Sequence, residues 1–290
     1  MSDVSAAEQL MSRIANEFDT LSKQLKVIAK YIEQNRQELV LAKISDIANA
    51  CDVQPSAIVR FSQRFGFTGF SEMQAVFRTD FAASQKSVPA TNYRQRIRQL
   101  IATQPQELGV GDMTREFVAA CQAGLDDLSS GLNDKELEKA VELLAKAENI
   151  YVLGVRRNFS IASYIAYALQ HTNKRVHLIN GLGGMYREQI RSIREGDVLI
   201  AISFTPYAKE TRYCVRAAHQ HKAKALVITD SQLSPLSRYA HALLTVKEGT
   251  AFAFRSLTST ICLCQALFIA LAYRLELDIE ETKDVGGYDD

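Results

Sequence analysis

The sequence predicts an all-α helix-turn-helix domain followed by an α/β three-layer sandwich on a five-stranded parallel sheet. Three observations predict it. Residues 1–82 carry apolar side chains at helical spacing and no strand-like run. From residue 113 to 290, five short apolar runs with little polar alternation are separated by helix-length segments, the pattern of a parallel sheet covered on both faces. Between these lies 83–112, rich in small, polar, Pro and Gly residues around a short basic helix, YRQRIRQLI, and read as a linker.

In the first domain Leu21, Leu25, Ile28, Ile32 and Leu39 recur at helical spacing. The stretch 43–77 is more informative. Ser45 or a residue beside it can cap a short helix whose apolar positions are Ile44, Ile47, Ala48 and Cys51. A turn through Asp52, Val53 and Gln54 follows, and Pro55 stands where a helix tolerates proline, in its first turn. In the next helix Ile58, Phe61 and Phe65 share one face, while Ser56, Arg60, Gln63 and Arg64 share the opposite one. Two short helices with a polar outer face on the second suit insertion into a DNA major groove. Ser56 and the small Ala57 let the backbone approach, Arg60 and Gln63 reach base edges, and Arg64 reaches a base or a phosphate. With Gln54 at the helix entry, these are the DNA-binding candidates. Spacing alone also allows a small helical subdomain with a solvated polar face, though it favours DNA binding.

In the second domain a helix over Met113 to about Leu132 is followed by Asn133, with Glu136 three residues on, a capping-box-like start for KELEKAVELLAKA. The strands are expected at 149–154, 175–180, 197–204, 224–230 and 242–246. The helices are expected at 158–171, 184–193, 207–221 and 256–275, with a short turn at 235–240. Right-handed crossovers then give three layers.

In an open parallel sheet, ligands sit beyond the C-terminal strand ends, where helix N-termini offer free N–H groups. Four such ends occur: 154–160, 180–184, 203–206 and Thr229-Asp230-Ser231. The third is the best anion site by chemistry, since Ser203 and Thr205 supply hydroxyls and Pro206 can open a helix. The first adds the guanidinium groups of Arg156 and Arg157, which pair with phosphate or carboxylate. Each has a plainer reading as a strand end, a helix cap or a solvated charge.

Composition bounds the rest. The 290 residues carry a net charge of +1, with 47% apolar and 23% charged residues, which excludes disordered, collagen-like and histone-like chains. Residues 1–100 carry a formal charge of +3 and residues 101–290 one of −2, an asymmetry that permits nucleic-acid binding at the N-terminal end. MSDVSAAEQL shows no signal-peptide pattern. The uncharged stretch between Arg255 and Arg274 holds Ser256, Thr258, Ser259, Thr260 and Gln265, so it reads as a buried helix and no membrane partner is expected. Cys51, Cys121, Cys214, Cys262 and Cys264 are odd in number and irregular in spacing, which fits reduced thiols in a cytoplasmic protein. No metal-ligand spacing and no cofactor motif is found.

Together, IANACDVQPSAIVRFSQRFGFTGFSEMQ, VLIAISFTPYAKET and VRAAHQHKAKALVITDS resemble the RpiR/MurR family of bacterial transcriptional regulators, which join a helix-turn-helix to a SIS (sugar isomerase) domain. The resemblance covers about residues 20–275. It implies a homodimer or homotetramer on a palindromic double-stranded DNA operator and an anionic sugar-derived effector in the SIS domain. It also implies regulation, repression by default, of carbohydrate catabolism genes. The ligand turns depart from the family pattern. After the first strand, Arg156 replaces a glycine and Asn158 a serine; in Ser203-Phe204-Thr205-Pro206-Tyr207-Ala208 the last hydroxyl is lost at Ala208. Anion binding is thereby expected to move toward guanidinium groups, with Arg255 before the last helix as a third contact. The ligand-binding candidates are Arg156, Arg157, Asn158, Ser203, Thr205 and Arg255. The alternative is a SIS-type isomerase with an accessory helical domain, which needs a positioned base. His241, Glu248 and Glu210 are the candidates, yet no pair has acid/base spacing and no catalytic residue is assigned.

Overall fold

A computed structural model of the chain describes residues 6–35, 39–40, 42–86, 93–103 and 109–275. It divides into two compact units, the first spanning Met1–Met113 with Ser231–Pro235 and the second holding the rest. Residues 87–92 and 104–108 of the expected linker lie outside the described residues.

The first unit is helical: α1 (Ala6–Glu17), α2 (Lys23–Gln34), α3 (Ile44–Cys51), α4 (Pro55–Arg64), α5 (Phe70–Lys86) and α6 (Tyr93–Thr103). Its core contains Ile14, Ile28, Ile32, Leu39, Ile47, Ile58, Phe61, Phe65 and Met73, all nearly or wholly buried. The Phe61 and Phe65 rings meet at 4.9 Å, so the expected buried face of α4 anchors the unit. Helix α3 begins from Lys43 rather than from Ser45, and the Asp46 carboxylate reaches back to accept from the Lys43 N–H at 3.3 Å. Asp52 then takes the left-handed conformation at φ 52°, and the Val53 N–H reaches the Ala48 carbonyl, which stops α3 and turns the chain into α4. Pro55 opens α4.

The second unit contains α7 (Val110–Ser130, which begins just before the division), α8 (Asp134–Lys146), β1 (Asn149–Gly154), α9 (Phe159–Leu169), β2 (Arg175–Ile179), α10 (Tyr186–Ile190) and β3 (Val198–Ile202). The chain continues through α11 (Lys209–Gln220), β4 (Lys224–Thr229), β5 (Ala242–Thr245), the hairpin β6 (Thr250–Ala251) and β7 (Phe254–Arg255), and α12 (Thr258–Arg274). The sheet is parallel throughout in the order β2-β1-β3-β4-β5. Successive strand residues point to opposite faces, and both faces are buried. Ile150, Val152, Ile200, Leu226 and Ile228 pack with α8, α9 and α12. Tyr151, Leu153, Leu199 and Val227 pack with residues of α10 and α11. The expected five-stranded three-layer sandwich is what the chain forms.

One local expectation is revised, and one element is new. The Asn133 side chain caps α8 by accepting from the Glu136 N–H at 3.2 Å, but the Glu136 carboxylate does not return to close a box. It instead accepts from the Leu243 N–H at 2.8 Å and pins β5 to α8. The short β6–β7 hairpin has no counterpart in the sequence reading. Its loop is Phe252-Ala253, both at positive φ (50° and 61°), where two-residue turns favour Asn-Gly.

Candidate functional site

Two places in the molecule carry the residues singled out in the sequence. On α4, Ser56, Arg60, Gln63 and Arg64 are exposed and Gln54 stands exposed at the helix entry. Ala57 is not part of this face. It is 1% exposed, next to Ile58 and one turn from Phe61, so its side chain belongs to the core. The reason is the helical period, since Ala57 and Phe61 at i and i+4 lie on one side. Arg64 is held by its own domain: its Nη2 donates to Thr20 Oγ1 at 3.0 Å and pairs with Glu17 at 3.4 Å. The open stripe on α4 is therefore Ser56, Arg60 and Gln63.

The second place is the switch point of the sheet. β2 pairs with one edge of β1 and β3 with the other, so the turns after β1 and β3 flank one crevice at the C-terminal strand ends. Gly154 ends β1 because a Cβ there would lie 2.4 Å from the Asn158 carbonyl oxygen. The tight turn that follows places Arg156 in the left-handed region at φ 60°, exposed, and buries Asn158. The Asn158 Nδ2 donates to the Ile202 carbonyl at 3.5 Å across the switch point, which fixes the amide orientation. Its Oδ1 is left buried without a hydrogen-bond partner. After β3, Ser203 is buried, with its N–H continuing the sheet ladder to the Ile228 carbonyl at 3.0 Å, and Thr205 is exposed.

Arginine and carboxylate chemistry meet at this end. Arg157 Nη1 donates to the Arg255 carbonyl at 2.9 Å. Arg255 lies over the Phe204 ring, 4.6 Å from its centroid, and its Nη2 donates to the Thr205 carbonyl at 3.4 Å. Its Nη1 pairs with Asp230 Oδ2 at 3.3 Å, and its Nε is buried without a partner. Burial, and then the neighbouring positive charge of Arg157, draw this guanidinium below its ordinary pKa, with Asp230 and Glu248 opposing. Asp230 itself accepts from the Thr205 N–H at 2.9 Å, the Tyr207 hydroxyl at 2.8 Å and Thr229 Oγ1 at 3.3 Å.

The structure thus brings Arg157, Asn158, Ser203, Thr205 and Arg255 to one end of the sheet and adds Asp230 and Tyr207. The sequence marks Thr229-Asp230-Ser231 as a strand end, but a carboxylate at an expected anion site carries no signal as a binding residue. Arg255 arrives through the strained hairpin. Phe252 and Ala253 are held there by the Phe117 ring at 5.7 Å from that of Phe252 and by backbone packing below. Gly249, just before β6, lies so close to α7 that a Cβ would stand 1.7 Å from the Ala120 carbonyl oxygen.

The candidate bases lie elsewhere or are engaged. Glu248 accepts from Ser256 Oγ at 2.7 Å, from the N–H groups of Ser259 and Thr260 at 3.2 and 2.8 Å, and from Thr260 Oγ1 at 2.6 Å, so it caps α12. His241 is at the opposite, N-terminal end of the sheet, where its Nδ1 accepts from the Ala225 N–H at 3.1 Å. Glu210 lies in the first turn of α11 with Oε2 buried and unpartnered, and after burial its charge is the second cause that pushes the Cys214 thiol up to about 12. Cys51 and Cys264 are likewise pushed up, to about 11 and about 12, by burial. All five cysteines are free thiols. Among the described residues no group of His, Cys, Asp and Glu is placed to hold a metal ion, and no helix is long and apolar enough to cross a membrane.

An open polar stripe bearing Arg60 on the second helix of a helix-turn-helix, joined in one chain to a parallel-sheet domain with an arginine-lined switch point, defines a two-domain transcriptional regulator. Family models bear this out: residues 8–84 match the helix-turn-helix domain of the rpiR family and residues 143–270 match the SIS domain. The two matches together span more than half of the chain, which belongs to the RpiR family of helix-turn-helix and SIS regulators. Three solved structures share the fold. The NanR protein of Vibrio vulnificus complexed with ManNAc-6P is 20% identical with a TM-score of 0.52, over 92% of this chain and 93% of that one. The sugar isomerase domain of an RpiR transcription factor from Sphaerobacter thermophilus is 20% identical with a TM-score of 0.53, over 56% of this chain and 90% of that one. A protein from the CFT073 strain of Escherichia coli is 16% identical with a TM-score of 0.50, over 59% of this chain and 96% of that one.

Proposed function

We propose that this regulator is a cytoplasmic, non-enzymatic repressor of carbohydrate catabolism genes whose DNA affinity is set by an anionic sugar-derived metabolite. In this reading residues 1–82 read DNA, 83–112 link, and 113–290 sense the effector. The observation that carries it is the outer face of α4: Ser56, Arg60 and Gln63 exposed over a fully buried Ile58-Phe61-Phe65 face. Arg60 and Gln63 read base edges and Gln54 and Ser56 position the helix on the backbone, while Arg64 reaches phosphate only by leaving Glu17. The chain acts as a homodimer or homotetramer on a palindromic operator, the arrangement by which such helices reach two half-sites. Arg156, Arg157 and Arg255 supply the positive charge of the effector site, with Asn158, Ser203 and Thr205 around it. The bound metabolite in the NanR structure is a phosphorylated amino sugar, and it is this class of effector that the arginine cluster suits. The capping duty of Glu248 and the remote position of His241 support a sensor over an isomerase.

The test is protection of genomic promoter fragments by the full-length protein at low ionic strength, followed by affinity measurement on the protected site. Arg60→Ala is expected to weaken specific binding by ~10- to 100-fold, the loss of about one bidentate base contact. Ser203→Ala is expected to leave bare operator affinity unchanged. Equal effects of the two changes, or no protected fragment at all, overturn the assignment.

A further inference from the structure

The crevice holds an anion of its own. Four donors converge on the Asp230 carboxylate: the Thr205 N–H at 2.9 Å, the Tyr207 hydroxyl at 2.8 Å, Thr229 Oγ1 at 3.3 Å and Arg255 Nη1 at 3.3 Å. An ionised carboxylate offers about four lone-pair sites, so this one is saturated. Thr205 belongs to the turn after β3, the turn best suited by its hydroxyls and backbone donors to take an anion, and Arg255 is its nearest guanidinium. Pro206 brings no N–H to that turn and Ala208 no hydroxyl, so the remaining donors are few. A phosphate arriving here meets donors already engaged and a like charge beside them, and two carboxylate- or phosphate-type anions sharing one set of donors repel.

A second observation points the same way. Asn158 is 8% exposed, and its amide is oriented by donating to the Ile202 carbonyl, which leaves Oδ1 as a buried acceptor with no donor. An acceptor without a partner calls for a hydroxyl or N–H; the phosphate group of a monoester dianion carries none and inorganic phosphate only its acidic O–H, whereas a sugar offers several neutral hydroxyls.

We propose that Asp230 is the specificity determinant of the crevice, an internal anion seated on the donors of the turn after β3 that excludes simple phosphate. The ligand admitted is a sugar derivative whose hydroxyl or amide groups make contacts of their own and whose acidic group is carried by the arginines. This rests on the reading of the crevice as an effector site. It differs from that reading in naming a residue that opposes binding, so removing it increases anion affinity.

The experiment is calorimetric titration of inorganic phosphate, in a phosphate-free buffer, into the full-length protein and into Asp230→Asn and Asp230→Ser. Asparagine keeps the shape but loses the charge and half the acceptor capacity; serine removes the group and covers the case in which asparagine folds poorly, with thermal melting to verify both. Wild type is expected to give no saturable heat, and each variant to gain at least about tenfold in phosphate affinity. Adding Arg255→Ala to Asp230→Asn is expected to abolish the gain. Equal binding by wild type and both variants, or tight phosphate binding by wild type, overturns the proposal. Operator affinity measured on the same preparations separates the two readings. Operator binding with no gain in phosphate affinity removes the role of Asp230 alone, while a gain without operator binding removes the regulatory assignment and leaves the role of Asp230 standing.

Discussion

Arg60 on α4 and Arg255 at the switch point are the same side chain in opposite conditions. Arg60 stands exposed on a helix whose other face is locked by Ile58, Phe61 and Phe65. Arg255 is about four-fifths buried, stacked on Phe204 and paired with Asp230. On the proposed function, the difference follows from what each side chain has to meet. A duplex is a rigid array of repeated charge, so a reader gains by keeping its donors solvated and ready, and counterion release drives binding. A small metabolite brings one or two charges, so a sensor gains by organising its donors in advance, and a buried cation needs a counter-charge while the site is empty. Asp230 supplies it. Within the first unit Arg64 is an intermediate case, exposed yet tethered to Glu17 and Thr20.

Salt gives the largest contrast between the two sites. Operator affinity is expected to fall by roughly a thousandfold between 50 and 200 mM salt if about six phosphates are contacted. Phosphate binding to Asp230→Asn should change far less, because buried pairs are poorly screened. Equal salt slopes would remove the distinction. Next is the rigidity of the hairpin that carries Arg255. Gly249→Ala forces a methyl into the Ala120 backbone and is expected to destabilise by about 3 kcal/mol or more. At about 2–4 °C per kcal/mol this appears as a clear drop in melting temperature, and an unchanged melt would mean the hairpin yields easily.

Glu17→Gln is a smaller change. It releases Arg64 and should raise non-specific DNA affinity a few-fold, in keeping with the modest strength of an exposed pair, as fluorescence anisotropy can measure. The smallest effect is at His241, whose pKa is lowered chiefly by burial and then by the Lys224 charge. Because the folded value is depressed, the unfolded chain takes up the proton first. The stability contribution is full above the ordinary value of 6.5 and is lost as the pH falls from there through the lower folded value. His241→Gln should flatten this acid loss in a melting-temperature series from about pH 7.5 to about pH 5.5. An unaltered series would mean that burial of His241 against the Ala225 N–H is not what limits stability in acid.

Much of this was legible along the chain. The buried Ile58-Phe61-Phe65 face, the five strands and the glycine that ends β1 are local statements of period and turn chemistry, and the structure places them within a residue or two of the expected bounds. Three features were not. Ala57 reads as a helix-start residue suited to close approach; its i, i+4 relation to Phe61 points it inward, and the packing of the neighbouring helices completes its burial. Glu136 satisfies the spacing of a capping box but finds a better donor in Leu243, more than a hundred residues on. The Phe252-Ala253 turn has none of the residues that announce positive φ, since packing and not propensity holds it.

The sequence by itself determined the two domain classes, the exposed stripe on α4 and the arrival of arginines near two strand ends. These depend on spacing within a few residues, and hydrophobic periodicity encodes that directly. The tertiary structure decided which charges are spent. Whether Arg255 meets a ligand or Asp230, and whether Glu248 is a base or a helix cap, depends on side chains brought together from separate strand ends, hairpins and helices. A buried charge takes its state from whatever lies within a few ångströms of it, and distance along the chain carries no record of that.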